Sequence, residues 1–367
     1  MSNLTKLILI GGFLGAGKTT MLSQLAKVMD ERKIRTGLVT NDQATDLVDT
    51  AILTRAGSDT KEVSGSCFCC NFPGFEGALH ELRENAKADM IIAEPVGSCT
   101  DLSATILQPL KDKYGDQYAL APFNVLVDPG RLAQILDGGN SGLHDSSAYI
   151  VRKQLEEADV IVINKIDLLT EEEAEALAAR TAEAYPNAEV FCVSAQEGTG
   201  VEEWLDAILS REYAGKNLTE VDYDIYAEGE AVLGWLNADI TLTGKADWNK
   251  FLEDYINALA GTFADREQAI GHLKILMSDE EKESFALANL TGGSDAVRFR
   301  GEAVGGEEAH LIVNARVQTS PEDLESTVFD TLKKICGDTV KYTVERYECL
   351  MPGRPNPTYH YNKVVSC

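Results

Sequence analysis

The sequence has few positive charges and no long apolar run, and each shortage excludes a class of protein. Thirty-three lysines and arginines stand against 59 aspartates and glutamates, which gives a formal charge of −26. This balance argues against DNA, RNA or an anionic membrane as the main partner, because phosphate contacts need lysine and arginine. No apolar run is long enough to span a bilayer, and the first residues, MSNLTKLILIGG, lack the features of a secretory signal. We therefore expect a cytoplasmic protein with neither a nucleic-acid nor a membrane partner.

The chain also lacks the cysteine content of a disulfide scaffold and any cluster of histidines. Eight cysteines among 367 residues are few, and in a cytosolic protein they are better explained as free thiols or metal ligands. For the histidines we expect surface or capping roles, since they are scattered along the chain at His80, His144, His272, His310 and His360. The sequence contains no internal repeat and no low-complexity tract.

Residues 1–215 alternate short apolar runs with helical patterns. We predict strands at 7–10, 37–40, 90–93, 125–127, 160–163 and 189–193. Helical stretches separate most of them, including 20–30, 147–157 and 171–185. This alternation predicts an α/β fold in which a parallel sheet has helices on both faces. Right-handed crossovers then bring the loops after the strands to one ligand-binding edge.

Residues 221–367 have a different pattern and predict a second, smaller domain. Strand-like runs and two helical patterns alternate at 232–243, 247–264, 273–276, 297–300, 311–314, 321–336 and 340–350. The order β-α-β-β-β-α-β indicates an α+β domain with its helices on one face of an antiparallel sheet, which we expect to bind a client or partner. The tail at 352–357, PGRPNP, is not expected to form regular structure.

The most specific motif is GFLGAGKT at 12–19, which matches the phosphate-binding P-loop pattern G-x-x-x-x-G-K-[ST]. It follows a predicted strand and opens a predicted helix, so backbone N–H groups and the helix dipole point at the same anion. Lys18 can reach the β- and γ-phosphates, and the Thr19 hydroxyl can bind Mg²⁺. The residues expected around the phosphates are Gly12, Gly15, Ala16, Gly17, Lys18, Thr19 and Thr20.

Asn164-Lys165-Ile166-Asp167 follows another predicted strand and predicts guanine as the base. A carboxylate can accept hydrogen bonds from guanine N1–H and from its exocyclic amine, whereas adenine has no such pair of donors on that edge. We assign base selection to Asp167, loop support and base contact to Asn164, and packing on the ring to the Lys165 stem. Ser194 and Ala195, after the next predicted strand, would add backbone donors to guanine O6.

Cys67-Phe68-Cys69-Cys70 forms a candidate site of a second kind. In an extended chain Cys67 and Cys69 point the same way, so Cys70 joins them only where the chain bends. Three thiolates on one short loop suit Zn²⁺, Cu⁺ or Co²⁺ and leave a fourth position open. Two other interpretations are buried small hydrophobes and a redox pair. The flanks of the motif are polar and glycine-rich, which is unlike a core segment.

Acidic residues at two predicted strand ends complete the candidate nucleotide site. Glu94 follows the strand at 90–93, where a carboxylate can approach Mg²⁺ or its waters. Gly97 can offer a backbone N–H near the γ-phosphate. Asp42, after the strand at 37–40, is a candidate for the Mg²⁺ shell or for linking Mg²⁺ to the cysteines. The candidate catalytic residues are therefore Lys18, Thr19, Glu94 and Asp42.

The remaining cysteines carry weaker signals. Cys99, two residues after Gly97, either supplies a fourth metal ligand or has no role, and the sequence leaves both open. Cys192 lies in an apolar strand and is expected in the core. The last three are isolated in the sequence, at Cys336, Cys349 and Cys367.

In this order, GGFLGAGKTT, the C-x-C-C loop, E-x-x-G and NKID resemble the CobW-like metallochaperone GTPases. These belong to the SIMIBI class of P-loop proteins, alongside the HypB, UreG and MeaB types. The resemblance, over roughly residues 4–210, implies GTP/GDP and Mg²⁺ at the edge of a parallel sheet. By that likeness Thr19 binds Mg²⁺ with Glu94 nearby, residues 15–20 bind phosphate, and Asn164 and Asp167 recognise guanine. It also implies a transition metal, often Zn²⁺ or Co²⁺, on the three cysteines of the loop.

The resemblance has departures that concern the metal and the client more than the nucleotide. Ser66 stands where the family's cysteine loop usually has glycine. Gln43 and Ala44 follow Asn41-Asp42, where the family often has an aromatic residue and a glycine. A histidine-rich tract, found in some members, is absent, and the residues after 220 match no family motif.

Together these features predict a GTPase that hydrolyses GTP slowly and delivers a transition metal to a client protein, either a metalloprotein or a cofactor enzyme. Two alternatives stay open. A GTPase chaperone for a corrinoid or other cofactor-dependent enzyme would use the same nucleotide chemistry and treat the cysteines as incidental. A P-loop kinase acting on a small molecule would make NKID a coincidence. A nucleotide-dependent homodimer is also left open.

Overall fold

The computed structural model describes residues 4–41, 48, 59–279, 284–292, 296–303 and 306–366, and they form two compact units. The first unit consists of 4–41, 59–226 and 354–366, and the second of residue 48 and the described part of 227–353. The predicted catalytic residue Asp42 lies outside the described residues, as do Gln43, Ala44 and Cys367. Within the described ranges, no helix combines the length and apolar composition that a bilayer crossing needs.

The first unit has a parallel sheet and flanking helices. Its strands are β1 (Thr5–Gly11), β2 (Thr36–Asn41), β3 (Asp59–Val63), β4 (Met90–Glu94), β5 (Tyr118–Leu120), β6 (Asn124–Val127), β7 (Val160–Ile163) and β8 (Glu189–Cys192). Its helices are α1 (Lys18–Glu31), α2 (Phe72–Glu84), α3 (Gln108–Tyr114), α4 (Pro129–Leu136), α5 (Asp145–Glu157), α6 (Glu171–Ala184) and α7 (Val201–Leu209). A π-helical turn, Ser103–Leu107, precedes α3, and α8 (Tyr223–Ala231) runs from this unit into the second.

The strand order is β3-β2-β4-β1-β6-β7-β8, with β5 attached to β1 and every pairing parallel. The predicted α/β class and all six predicted strands are confirmed. Sequence reasoning missed β3, because DTKEV is polar, and β5, because three residues carry little pattern. The P-loop follows β1, Glu94 ends β4, and the NKID loop follows β7, so parallel pairing brings them to one edge.

Helix α7 shows how the apolar pattern sets the packing of the first unit. Its residues at helical spacing are buried in one core cluster with residues of β1 and β7; they are Val201, Trp204, Leu205 and Ile208. The Trp204 ring N–H donates to Asn124 Oδ1 at the start of β6, over 2.9 Å. The indole is therefore buried without leaving its polar atom unpaired.

The second unit is an antiparallel sheet with two long helices. Its strands are β9 (Gly234–Gly244), β10 (Ile270–Asp279), β11 (Ser284–Leu290), β12 (Arg298–Glu302), β13 (Glu308–Val317) and β14 (Val340–Leu350). The order is β12-β11-β10-β13-β9-β14. Helices α9 (Trp248–Asp265) and α10 (Pro321–Cys336) pack with the sheet in one hydrophobic core, as predicted for an α+β domain.

The predicted strand count of this unit is wrong by one. Among the described residues of this stretch, four strands rather than three lie between α9 and α10, and the unpredicted strand is β11. Its sequence, SFALANL, alternates correctly, but two of its buried residues are Ala286 and Ala288. Alanine contributes little apolar contrast and favours helix, so the alternation was too weak to predict a strand.

The predicted domain ranges, 1–215 and 221–367, also need correction. The first unit extends to Tyr226, and residues 354–366 return to it. Hydrogen bonds hold residues 354–366 against the first unit. The Tyr361 N–H donates to Ala104 O over 3.2 Å, and the Val365 N–H donates to Gln108 Oε1 over 2.8 Å. Proline-rich sequence predicts irregular backbone but says nothing about where that backbone packs.

Trp204→Phe should lower the free energy of unfolding of the first unit by about 1–3 kcal/mol, because the buried Asn124 oxygen then loses its donor. Urea denaturation followed by circular dichroism measures the change. Leu4→Ala, at an exposed position of the same unit, is the control and should change the unfolding free energy by less than about 0.5 kcal/mol. An unchanged unfolding free energy for Trp204→Phe would contradict the role given to this hydrogen bond.

Candidate functional site

The P-loop fits between β1 and α1 because particular positions are glycine. Gly12 has a φ of 129° and Gly17 a φ of 93°, values that residues with a side chain rarely adopt. A Cβ on Gly12 would lie 2.2 Å from the Leu126 carbonyl oxygen, and one on Gly17 would lie 2.3 Å from Asn164 Nδ2. Gly15 also has a positive φ, 82°. The loop is thus in contact with the end of β6 and with the predicted base-recognition loop.

Lys18, Thr19 and Glu94 meet at the carboxyl edge of the sheet. Lys18 Nζ donates to the Gly12 carbonyl over 2.8 Å and lies 3.9 Å from Glu94 Oε1. The Thr19 hydroxyl lies 3.4 Å from both carboxylate oxygens of Glu94. All three side chains are buried. A hydroxyl and a carboxylate beside a phosphate-binding loop are the oxygen ligands that Mg²⁺ prefers, so these residues fit that ion.

Gly97 lies directly against the P-loop. A Cβ at this position would be 2.8 Å from Leu14 Cδ2 and 3.0 Å from Lys18 Nζ. Gln154 Nε2 on α5 donates to the carbonyl of Gly97 over 3.0 Å and to that of Cys99 over 2.8 Å. The loop after β4 is therefore fixed beside the phosphate-binding loop, and it carries Cys99 five residues after Glu94.

The predicted base-recognition residues are brought together by hydrogen bonds. Asn164 Nδ2 donates to Ala16 O in the P-loop over 2.8 Å, and Asn164 Oδ1 accepts the Ala195 N–H over 2.9 Å. The Ser194 hydroxyl donates to Asp167 Oδ1 over 2.6 Å, and Asp167 itself is exposed. The Ala195 N–H, predicted as a donor to guanine O6, is here the donor that positions Asn164.

Sequence reasoning missed Asp128, which orients Lys165. Asp128 caps the N-terminus of α4 by accepting the Gly130 and Arg131 N–H groups. Its Oδ2 lies 2.8 Å from Lys165 Nζ. Although burial alone would raise it, the pKa of Asp128 is lowered by the Lys165 ammonium and by the backbone N–H donors. The signal was readable: an Asp-Pro pair directly after a strand is a helix N-cap with proline at the first helical position.

Arg131 ties α4 to the P-loop and was also missed. Its Nη1 donates to the Leu14 carbonyl over 2.7 Å, and its guanidinium lies 5.0 Å from the centre of the Phe13 ring. The side chain is buried. Both P-loop residues that it contacts are variable positions of the motif, so Arg131 fixes the loop from its outer side.

The chain bends at the cysteines, which brings all three sulfurs together. The N–H groups of Cys70 and Asn71 both donate to the Cys67 carbonyl, over 3.1 and 2.9 Å. The Cys67 and Cys69 sulfurs are 3.1 Å apart and those of Cys69 and Cys70 are 3.9 Å apart. The three sulfurs lie within 4.8 Å of one another. The predicted metal ligands therefore form one group, which we call the thiol cluster, just before α2.

Asn41, the last residue of β2, holds the backbone of the thiol cluster. Its Nδ2 donates to Val63 O over 2.7 Å and to Ser66 O over 2.9 Å, and its Oδ1 accepts the Phe68 N–H over 2.8 Å. The Phe68 ring stacks on Phe75 of α2 with centres 4.1 Å apart. Asn41 was noted only as the neighbour of Asp42, although a polar residue at the carboxyl end of a parallel strand is itself a signal.

The thiols of the cluster stabilise one thiolate between them. The pKa of Cys67 lies well below its ordinary value because the thiols of Cys69, Cys70 and Cys99 hydrogen-bond to its sulfur. The pKa of Cys69 is raised by its hydrogen bonds with Cys67, Cys70 and Cys99 and by burial. The pKa of Cys70 is raised to about 11, chiefly by its hydrogen bond with Cys67. A metal ion that takes all three sulfurs must displace the protons of Cys69 and Cys70.

The other cysteines differ in their relation to the cluster. Cys99 is buried, and its thiol helps to lower the pKa of Cys67 and to raise that of Cys69, yet its sulfur is not among those that lie within 4.8 Å of one another. It belongs to the wall of the cluster, and both interpretations given for it above, fourth metal ligand or thiol without a role, stay open. Cys192 is half-buried on β8 rather than fully in the core, and Cys349 donates to Pro321 O over 3.1 Å.

A family model of the CobW/HypB/UreG nucleotide-binding domain matches residues 6–192. The zinc chaperone YeiR of Escherichia coli K12 is 30% identical over 177 residues, which are 47% of this chain and 50% of that protein. The zinc chaperone CobW of a Sinorhizobium species is 29% identical over 181 residues, 44% of this chain and 50% of that one. The chain thus spans about half the length of the curated relatives that it matches.

A solved structure, HypB from Helicobacter pylori in complex with nickel, is 20% identical and covers 60% of this chain and 92% of its own, with a TM-score of 0.41. The matched family range contains the P-loop, the thiol cluster, Glu94 and the NKID loop, and it spans more than half of this chain. The family resemblance read from the motifs is confirmed. This protein belongs to the CobW/HypB/UreG family.

Proposed function

We propose that this protein binds and slowly hydrolyses GTP, and that it uses the nucleotide state to control delivery of Zn²⁺ from the thiol cluster to a client protein. The observation that carries the proposal is that the loop after β4 contributes to both candidate sites, while the neighbouring strand β2 supports the thiol cluster. Asn41 fixes the thiol cluster from the end of β2. The loop after β4 carries both Gly97, against the P-loop, and Cys99, in the wall of the cluster.

The nucleotide half of the proposal rests on the residues around the P-loop. Backbone N–H groups of residues 12–17 and the N-terminus of α1 face the phosphates. Lys18 exchanges its Gly12 carbonyl contact for the β- and γ-phosphate oxygens. Thr19 and Glu94 would hold Mg²⁺, which when bound neutralises charge on the phosphates. No arginine or glutamine is identifiable from the sequence as a catalytic helper, so we propose that turnover is slow.

Guanine selection rests on Asp167. Its carboxylate is exposed toward solvent and oriented by the Ser194 hydroxyl. Two acceptor oxygens match the N1–H and exocyclic amine of guanine, while adenine places no such pair there. Lys165 is held by Asp128, so its aliphatic stem is fixed where it can cover one face of the base.

The metal half rests on the donor set. Three sulfurs on one turn suit a borderline or soft ion and leave its fourth position open to a client's ligand, which transfer requires. Zn²⁺ is the ion that we propose as cargo, because the two curated relatives are described as zinc chaperones; Co²⁺ is the second choice on the same ligands. The proposed client is a metalloprotein or cofactor enzyme, and the proposed location is the cytoplasm.

The proposal is tested by nucleotide analysis and metal analysis of the native protein together with its triple variant Cys67→Ser, Cys69→Ser, Cys70→Ser. Native protein should carry guanine nucleotide and close to one Zn²⁺ per chain. The triple variant should keep the nucleotide and lose the metal. A variant that keeps its full activity toward a client in cells would instead favour the chaperone in which the cysteines are incidental.

Asp167→Asn should weaken GTP binding by about 30-fold or more, because an amide nitrogen then faces the guanine donors. The same variant should gain affinity for xanthosine triphosphate, which has a carbonyl acceptor in place of the exocyclic amine. Calorimetric titration measures both. Asp137→Asn, an exposed carboxylate at the end of α4, is the matched control and should leave both affinities unchanged. Equal GTP affinity in Asp167→Asn and the unaltered protein would remove the base assignment.

Zn²⁺ affinity should rise with pH, by about tenfold per pH unit for each proton released. The affinity rises with pH because both thiols must lose protons to bind the ion. The pKa of Cys70 is raised to about 11 and that of Cys69 is raised as well, so both are protonated near neutrality. Competition with a chelator from about pH 6 to about pH 8 measures the slope. A pH-independent affinity, or the same slope in the triple serine variant, would show that these sulfurs are not the ligands.

A further inference from the structure

Residues 354–366, which we call the C-terminal strap, cross the thiol cluster. The Thr358 N–H donates to the Cys69 carbonyl over 2.8 Å, and the Thr358 hydroxyl donates to the Cys70 carbonyl over 3.1 Å. The Asn356 N–H donates to the Cys70 sulfur itself over 3.2 Å. The strap thus contacts both the backbone and one ligand atom of the cluster.

The strap is anchored at its far end on α3 and the π-helical turn. The Tyr361 N–H donates to Ala104 O over 3.2 Å, and the Tyr361 hydroxyl donates to Asp112 Oδ2 over 2.7 Å. The Tyr359 ring packs edge-on against Phe72 at 5.1 Å between centres. None of these contacts involves a cysteine, so the fold holds the strap over Cys70 independently of the thiol cluster.

A third group of contacts joins the strap to the loop that carries Cys99. His360 Nε2 lies 3.0 Å from Asp101 Oδ2, and the Tyr223 hydroxyl donates to the same oxygen over 2.7 Å. Asp101 is buried and has a φ of 64°, a left-handed conformation that is uncommon for residues other than glycine. An ion pair with Asp224 holds Arg354, the first residue of the strap.

The strap lies on the solvent-exposed side of the thiol cluster. Cys67 and Cys69 are 4% and 2% exposed, whereas Cys70 is only partly buried. Cys70 is the sulfur that a solvent species or a client's ligand can reach first, and it is the sulfur that accepts the Asn356 N–H. Pro355 and Pro357 flank Asn356 and restrict its backbone, which keeps that N–H aimed at the sulfur.

We propose that the C-terminal strap is a gate on the thiol cluster: it closes over Cys70 to retain the metal ion and must lift for the ion to pass to a client. This inference rests on the proposed function, because it adds the regulation of the same site. Asn356 acts as a positioning residue through its backbone N–H, which stabilises the Cys70 sulfur in its bound orientation.

Two variants at position 356 isolate the N–H group. Asn356→Pro removes the donor, whereas Asn356→Ala keeps it and changes only an exposed side chain. Transfer of bound Zn²⁺ to a chromogenic chelator should be about three- to tenfold faster in Asn356→Pro, as expected for the loss of one hydrogen bond, and unchanged in Asn356→Ala. With Co²⁺ bound, the thiolate-to-metal charge-transfer band should move to longer wavelength in Asn356→Pro only, because the sulfur has lost a hydrogen-bond donor.

Removal of residues 354–367 should accelerate Zn²⁺ transfer further and expose Cys70. In the metal-free protein, alkylation of Cys70 by iodoacetamide, followed by mass spectrometry, should become faster while Cys192 reacts as before. Tyr361→Phe, which loses only the contact with Asp112, is the milder variant should the shortened chain fold poorly; it should show a smaller increase of the same sign.

The outcomes separate this inference from the proposed function. Zn²⁺ transfer and Cys70 alkylation that are unchanged in Asn356→Pro, in Tyr361→Phe and in the shortened chain would overturn the gate while leaving the metal site intact. A protein that binds no Zn²⁺ in any form would overturn the proposed function. If, in addition, Cys70 is alkylated at the same rate in the metal-free variants as in the unaltered protein, the gate is overturned as well.

Discussion

The side-chain amide of Asn41 is the contact on which the arrangement of the two candidate sites depends. It closes β2 at the carboxyl edge of the sheet, where the phosphates are expected, and its three hydrogen bonds fix the turn that carries the cysteines. Asn41 is buried, so each of these bonds is difficult to replace with water. A shift of β2 that follows the nucleotide would therefore be transmitted to the sulfurs rather than absorbed by the loop.

The loop after β4 connects the P-loop with the thiol cluster at the same edge of the sheet. Glu94 faces Thr19, Gly97 lies against Lys18, and Cys99 contributes to the wall around the sulfurs. Gln154 holds the carbonyls of Gly97 and Cys99 at once, so these two positions move together. The loop after β4 thus runs from the P-loop to the thiol cluster, and the end of the neighbouring strand β2 supports the same cluster.

The sequence predicts the local chemistry of this protein well and its long-range contacts poorly. GFLGAGKT, NKID and CFCC each place several functional groups within a few residues, so the backbone alone nearly fixes their geometry. Asp128 on Lys165, Arg131 on Leu14 and the strap on Cys70 join residues that are 37, 117 and 286 positions apart in the sequence. A single sequence carries no pattern for such pairs, and the polar strand β3 and the alanine-rich strand β11 were missed because their side chains contrast little with their surroundings.

Coupling between the nucleotide and the thiol cluster is tested most directly by measuring Zn²⁺ affinity with GDP bound and again with a non-hydrolysable GTP analogue. A coupling free energy of about 1–3 kcal/mol predicts affinities that differ by about 5- to 150-fold. Asn41→Ala should reduce that ratio toward one while leaving both ligands able to bind. Identical Zn²⁺ affinity in the two nucleotide states of the unaltered protein would contradict the coupling and leave two independent sites on one chain.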